Sequence, residues 1–188
     1  MRMTTPRIPP LANDEWDDDV KALLAPIAQN GRVLNIFRTL ANHSALARRW
    51  MVFANHILGK STLSAQAREL VILRIGYLCQ SGYEWGQHVV IARRVGMTDE
   101  EILSSKSGPQ TAGLSPLYRL LLQATDELHA DAHIADATWE GLSEHLNQQQ
   151  MMDLVFTVGQ YNLVSMALNS FGVQLDDGVP DWDLVVKH

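Results

Sequence analysis

Cysteine is nearly missing from this chain: Cys79 is the single one in 188 residues. An intrachain disulfide and a multi-cysteine metal site are thereby excluded, and any redox chemistry has to borrow a second thiol. Long apolar runs are missing as well. None reaches the roughly 18 residues of a membrane helix, and the proline-rich start from Met1 to Asn13 has no apolar signal core, so a cytoplasmic protein with no membrane partner is expected. Positive charge is in deficit: 15 Lys and Arg stand against 21 Asp and Glu, a formal net charge of -6, with the basic residues scattered. Without a basic stripe, nucleic acid is not an expected partner. Strand-like alternation, low-complexity tracts and short-period repeats do not occur either. The charged fraction, 19%, is low, which suits a homo-oligomer that hides part of its surface.

What is present is ordinary globular material, with 46% apolar residues and a length suited to one self-sufficient core. A single all-α domain over 1–188 is expected, a bundle of about seven or eight helices with a core near 14–172. The N-terminal arm, 1–13, reads as an extended segment because of Pro9 and Pro10. The tail, 173–188, reads as peripheral. Asn13 or Asp14 can cap a first helix to about Gln29, stopped by Asn30-Gly31. Asn35 to Leu40 suits a short helix, and Ser44 can cap another with Leu46, Trp50, Phe53 and Ile57 in one apolar stripe. Ser64 opens a helix whose centre, Leu70 to Leu78, is apolar on most sides and hence central.

After a break at Gln80-Ser81-Gly82 a helix is expected from about Tyr83 to Val95, closed by Gly96. Thr98 and Glu101 form a capping box. Ser104 to Gly113 reads as a surface loop. Ser115-Pro116 starts a helix to about His129, Asp136 caps one with Trp139 and Leu142, and Asn147 caps a long last one that ends at Gly172.

The cluster richest in chemistry is Ser81-Gly82-Tyr83-Glu84-Trp85-Gly86-Gln87-His88. Glu84 and His88 are spaced i and i+4, so on a helix they share a face and can hydrogen-bond. An imidazole that titrates near neutrality beside a carboxylate is the arrangement that general acid-base work needs. Glu69, 19 residues before His88, joins them if its helix turns it into the same hollow. His129-Ala130-Asp131-Ala132-His133 spans a helix end without matching ligands, so no metal site is expected.

The spacing of Glu69 and His88, with the flanking Arg68-Glu69-Leu70 and Ile91-Ala92-Arg93-Arg94-Val95-Gly96, resembles the carboxymuconolactone decarboxylase and alkylhydroperoxidase D-like family. The resemblance is sharpest from Ser64 to Ile102. It implies an all-α fold, assembly as dimers, trimers or hexamers, and a cofactor-free site. In the family's peroxidase branch two cysteines precede the histidine, and Ser81 and Glu84 stand at their places here. Cys79 is out of register.

By resemblance, then, the chain is a cofactor-free lyase acting on a small carboxylated or oxygenated ring compound. His88 would donate or shuttle the proton, Glu69 and Glu84 would orient it, and Tyr83, Trp85, Gln87 and His56 would line the substrate pocket. Two other readings stand beside it: a peroxidase that uses Cys79 with an external thiol, and a non-catalytic oligomeric binding protein.

Overall fold

The computed structural model describes residues 3–28 and 31–180, and among them every regular element is helical. The α-helices run α1 Asp18–Leu24, α2 Asn35–Leu40, α3 Ser44–Lys60, α4 Ala65–Leu78, α5 Gly82–Arg94, α6 Asp99–Ser107, α7 Pro116–Asp131, α8 Asp136–Ser143 and α9 Gln148–Phe171. The all-α expectation holds. α4 is the axis of the bundle, packed by α5, α6, α7 and α9. Its centre is apolar all round, and Leu70, Val71, Ile72, Leu73 and Ile75 are fully buried. α9 shows the other pattern: Leu154, Val158, Tyr161, Ser165 and Leu168, spaced at steps of four and three, lie together on its buried face.

The caps follow side-chain chemistry. Ser64, Thr98, Ser115 and Asn147 each accept a hydrogen bond from a first-turn amide, and Thr98 with Glu101 closes the predicted capping box. Four boundaries differ from the sequence reading. The first helix is divided, because Asp17 caps at Val20 and breaks the turn at Asn13–Glu15 from α1. Its expected end at Gln29 and Asn30 lies outside the described residues. His43 rather than Ser44 accepts the capping bond of α3. Asp136 is the first residue of α8, and the cap position falls on Ala135.

The fourth difference is the expected loop from Ser104, which is helical and buried as far as Ser105. Ser105 receives the indole N–H of Trp85 at 3.2 Å and donates to the Ile102 carbonyl. Polar side chains that satisfy each other inside can be buried, and a composition-based loop signal does not see that.

One buried ion pair fixes α4 to α7. The Arg74 guanidinium grips Asp126 with Nε to Oδ1 at 2.5 Å and Nη2 to Oδ2 at 2.8 Å, and also donates to the Ser105 and Lys106 carbonyls. Such fork-on-fork pairing compensates the cost of taking a guanidinium from water. The N-terminal arm is laid on the bundle as expected: the amides of Arg7 and Ile8 donate to the Phe171 carbonyl at the end of α9. The stripe expected on α3 is only partly buried. Ile57 is inside, but Leu46 and Phe53 face outward, as do Phe156 and Leu163 of α9.

Replacing Asp126 with Ala leaves the Arg74 charge inside without its partner. A loss of about 3 kcal/mol is expected, read from the shift of the urea unfolding midpoint; an unchanged midpoint would show that the pair carries no stability.

Candidate active site

The turn between α4 and α5 decides where the site residues land. Gln80 takes the left-handed region at φ 52, the Gln80 amide bonds the Tyr77 carbonyl, and the Ser81 amide bonds the Gly76 carbonyl. This is the double closure of a Schellman motif, made here on a residue other than glycine, at roughly 1 kcal/mol of strain. α5 therefore starts at once and runs back along α4. The two helices come so close at Gly76 that a Cβ there would stand 3.3 Å from Glu84 Cγ. Glu84 and His88, one turn apart on α5, are thereby laid against Glu69 on α4.

Glu69, Glu84 and His88 are all buried, at 0%, 3% and 5% exposure. His88 Nδ1 lies 2.6 Å from Glu69 Oε2, and His88 Nε2 lies 3.0 Å from Glu84 Oε1. Arg68 Nε donates to the other oxygen of Glu69 at 3.2 Å. The result is a row of alternating charges, Arg68, Glu69, His88, Glu84, that runs from the start of α4 to the middle of α5. Tyr161 of α9 closes over it, its ring edge-on to the imidazole with centroids 4.9 Å apart. Burial alone would push the His88 pKa down, but the charge and hydrogen bond of Glu69, then those of Glu84, outweigh it and raise it to about 10.

Beside Glu84 and His88 opens a cavity of about 130 Å3. Phe37, Trp50, Met51, Leu58, Ile91 and Val164 supply apolar walls from α2, α3, α5 and α9, and Tyr83, Gln87, Gln160 and Tyr161 supply polar ones. Gln160 and Tyr161 are each 5% exposed. Neither the Gln160 carboxamide nor the Tyr161 hydroxyl has a hydrogen-bond partner among the described residues. Burial, then the nearby charges of Glu84 and Glu69, push the Tyr161 hydroxyl well above its usual range, so it remains an O–H donor.

The sequence reading is met in part. The structure gathers Glu69, Glu84 and His88, and sets Tyr83 and Gln87 in the cavity wall. It places two predicted residues elsewhere. Trp85 is wholly buried on the opposite side of α5, against Leu70, Leu73 and Ile102, with Lys106 over its ring. Tyr83, Glu84, Gln87, His88 and Ile91 form the cavity side of α5, and Trp85 belongs with Val89 and Ala92 on the side that packs into the core. His56 is exposed on α3, 3.8 Å from Asp153. Cys79 is not in the cavity wall either: its thiol donates to Asn162 Oδ1 at 3.0 Å, with His129 Nδ1 4.0 Å away.

Both ring nitrogens of His88 are engaged. With a carboxylate on each nitrogen, the ring has no free nitrogen to offer a substrate, and Glu84 is the member of the row that reaches the cavity beside it. Sequence reasoning missed Gln160 and Tyr161, which lie more than 70 residues beyond His88, and took Trp50 only as part of the apolar stripe of α3. It also set the tail aside as peripheral. Asp176 in fact accepts from the Tyr83 hydroxyl at 2.5 Å, from Gln87 Nε2 at 2.8 Å and from the Asn35 amide at 3.0 Å. Residues 179 and 180 lie so close over α5 that a Cβ at Gly86 would collide with the Pro180 carbonyl. Residues 181–188 lie outside the described residues.

Residues 44–127 match the model of the Carboxymuconolactone decarboxylase family. The uncharacterized protein YdfG of Bacillus subtilis (strain 168) is 22% identical over 116 residues, covering 59% of this chain and 79% of its own length. Among solved structures, an uncharacterized peroxidase-related protein from Ralstonia eutropha JMP134 with an alkylhydroperoxidase AhpD core superposes with a TM-score of 0.81. It is 20% identical and covers 93% of this chain and 94% of its own. The debrominase Bmp8, in complex with 2,3,4-tribromopyrrole, superposes with a TM-score of 0.75 at 12% identity, with 93% and 94% covered. These likenesses establish the fold that the two chains share with this one.

The raised His88 pKa has a signature in stability. A pKa higher in the folded chain than the unfolded value of about 6.5 gives stability that is full below about pH 6.5 and is lost as pH rises through about 10. Thermal melts across that range should therefore fall more steeply for the wild type than for His88→Asn; parallel curves would mean that the buried pairing is not formed.

Proposed function

From a chain whose residues 44–127 match the model of the carboxymuconolactone decarboxylase family, we propose a cofactor-free acid-base enzyme that moves a proton on a small unsaturated ring compound. One observation carries the proposal: the buried row Glu69, His88, Glu84 ends at the cavity wall. In the step we envisage, the Glu84 carboxylate takes a proton from a ring carbon next to a carbonyl. The electron pair of that C–H bond moves into the carbonyl, and the enolate oxygen so formed is met by the Tyr161 hydroxyl and the Gln160 carboxamide N–H. Glu84 then returns the proton to a different ring carbon, so the ring leaves isomerised with no co-reactant consumed. His88 and Glu69 hold Glu84 in place and spread its charge change along the row.

Loss of carbon dioxide, the reaction in the family's name, passes through the same kind of enolate and needs the same return of a proton to carbon. Tyr161 and Gln160 would meet the enolate oxygen in the same way whichever bond is opened first. Cys79 has no part in the scheme.

The test is deuterium uptake into ring carbons of an unsaturated five-membered lactone and of cyclohexenone in deuterium oxide, followed by proton NMR. Glu84→Gln and His88→Asn should each lower the exchange rate by a factor of about 100 or more, the usual reach of a general base, while Cys79→Ser leaves it unchanged. Exchange that vanishes in Cys79→Ser alone would favour the thiol reading, and wild-type protein that exchanges neither ring faster than buffer would sink the proposal.

Self-association belongs to the same proposal. Leu46 and Val52 of α3 and Phe156, Leu163 and Met166 of α9 are exposed at 37% or more, more apolar surface than a lone soluble domain usually shows in one region. A second copy of the chain is the occupant we propose for this face. Sedimentation of wild type should report a dimer or larger species that Phe156→Glu with Leu163→Glu reduces to monomer; a monomeric wild type would refute it.

A further inference from the structure

The charge of the site can be counted without knowing where its protons sit. If His88 holds a proton on each nitrogen, two carboxylates and one imidazolium sum to -1. If the ring has one proton instead, one carboxyl must hold the other to make the second hydrogen bond, and the sum is again -1. Arg68 neutralises this charge only from the Glu69 side, and Arg68 is not in the cavity wall. Behind the Tyr83 and Gln87 part of the wall stands a second carboxylate, Asp176, which both side chains hold. No lysine or arginine lines the cavity among the described residues, and the imidazolium is already shared between two glutamates. A carboxylate entering this space would leave water to face Glu84 with no counter-charge.

Two further observations say what the cavity accepts instead. Gln160 and Tyr161 are buried polar side chains without partners among the described residues, and both lie in its wall. Buried groups of this kind are normally satisfied, so they call for a ligand atom that accepts from an O–H and an amide N–H. The volume, about 130 Å3, is close to that of an engineered protein cavity of about 150 Å3 that takes up benzene. One ring fits.

We propose that the substrate of this site is a neutral compound of a single ring whose carbonyl or hydroxyl oxygen docks on Tyr161 and Gln160, and that carboxylated rings are excluded by the negative charge of Glu84. The inference rests on the acid-base reading above and narrows it: the bond opened is a ring C–H bond, not a bond to a carboxylate carbon.

Isothermal titration calorimetry at neutral pH with benzyl alcohol and benzoate, two one-ring probes of similar size, tests this. Benzyl alcohol should bind at least about tenfold more tightly than benzoate. The gap should shrink in Glu84→Gln as benzoate gains, and it should reverse in Gln160→Arg, which adds the missing cation; circular dichroism melts verify that each variant folds. Equal or tighter binding of benzoate by the wild type would overturn the proposal, as would binding of neither probe at millimolar concentration or a gap unaltered in both variants.

The outcome separates from that of the acid-base reading because binding needs no turnover. Lost preference with deuterium exchange intact overturns the neutral-substrate inference alone. Retained preference in a wild type that exchanges no proton overturns the acid-base reading alone.

Discussion

The site depends on holding two carboxylates, Glu69 and Glu84, inside a helical bundle on either side of one imidazole. A carboxylate taken from water without partners costs several kcal/mol, and removing one member of a buried pair leaves the rest exposed to that cost. Here the charge is distributed: Arg68 holds one oxygen of Glu69, His88 bridges both glutamates, and Tyr161 shields the ring edge. Much else follows from this. α4 and α5 must approach closely, so Gly76 lies under Glu84, and the turn between them must be tight enough to strain Gln80. The bundle also keeps its second buried cation, Arg74, fully occupied by Asp126 and two carbonyls.

The same distribution orders the row in space. His88 sits between two acids and pairs with both. Glu69 is sealed between α4 and its neighbours, whereas Glu84 borders the cavity. The remaining polar wall includes the phenols of Tyr83 and Tyr161 and the amides of Gln87 and Gln160, and among the described residues Glu84 is the carboxylate that lines the cavity itself.

Most of the helices could be read from the sequence because their signals are local. Ser64, Thr98, Ser115 and Asn147 cap by bonding amides three residues on, and the α9 stripe is a matter of spacing. Glu69, Glu84 and His88 were legible through a family spacing and the i, i+4 rule. Gln160 and Tyr161 were not, because nothing in their own neighbourhood distinguishes a cavity wall from a core face; the helix that brings them over His88 begins 60 residues later. Trp85 was misjudged because a shared run of residues is not a shared face. His56 and the α3 stripe were misjudged because periodicity says which side chains are together but not what covers them. Asp136 and Ser44 stand one residue from the true cap positions, an error that comes from reading residue type without backbone angles.

The far end of the chain has a part that composition conceals. Val179 and Pro180 rest on the bare backbone of Gly86, and Asp176 holds Tyr83 and Gln87 from outside the wall they form. The stretch after α9 is therefore scaffolding for the pocket, bolted on from behind. Any redesign that shortens the chain at Gly172 takes that brace away and leaves Gln87 without its Asp176 anchor and Tyr83 with the Ile36 amide alone, with no residue of the pocket itself having been altered.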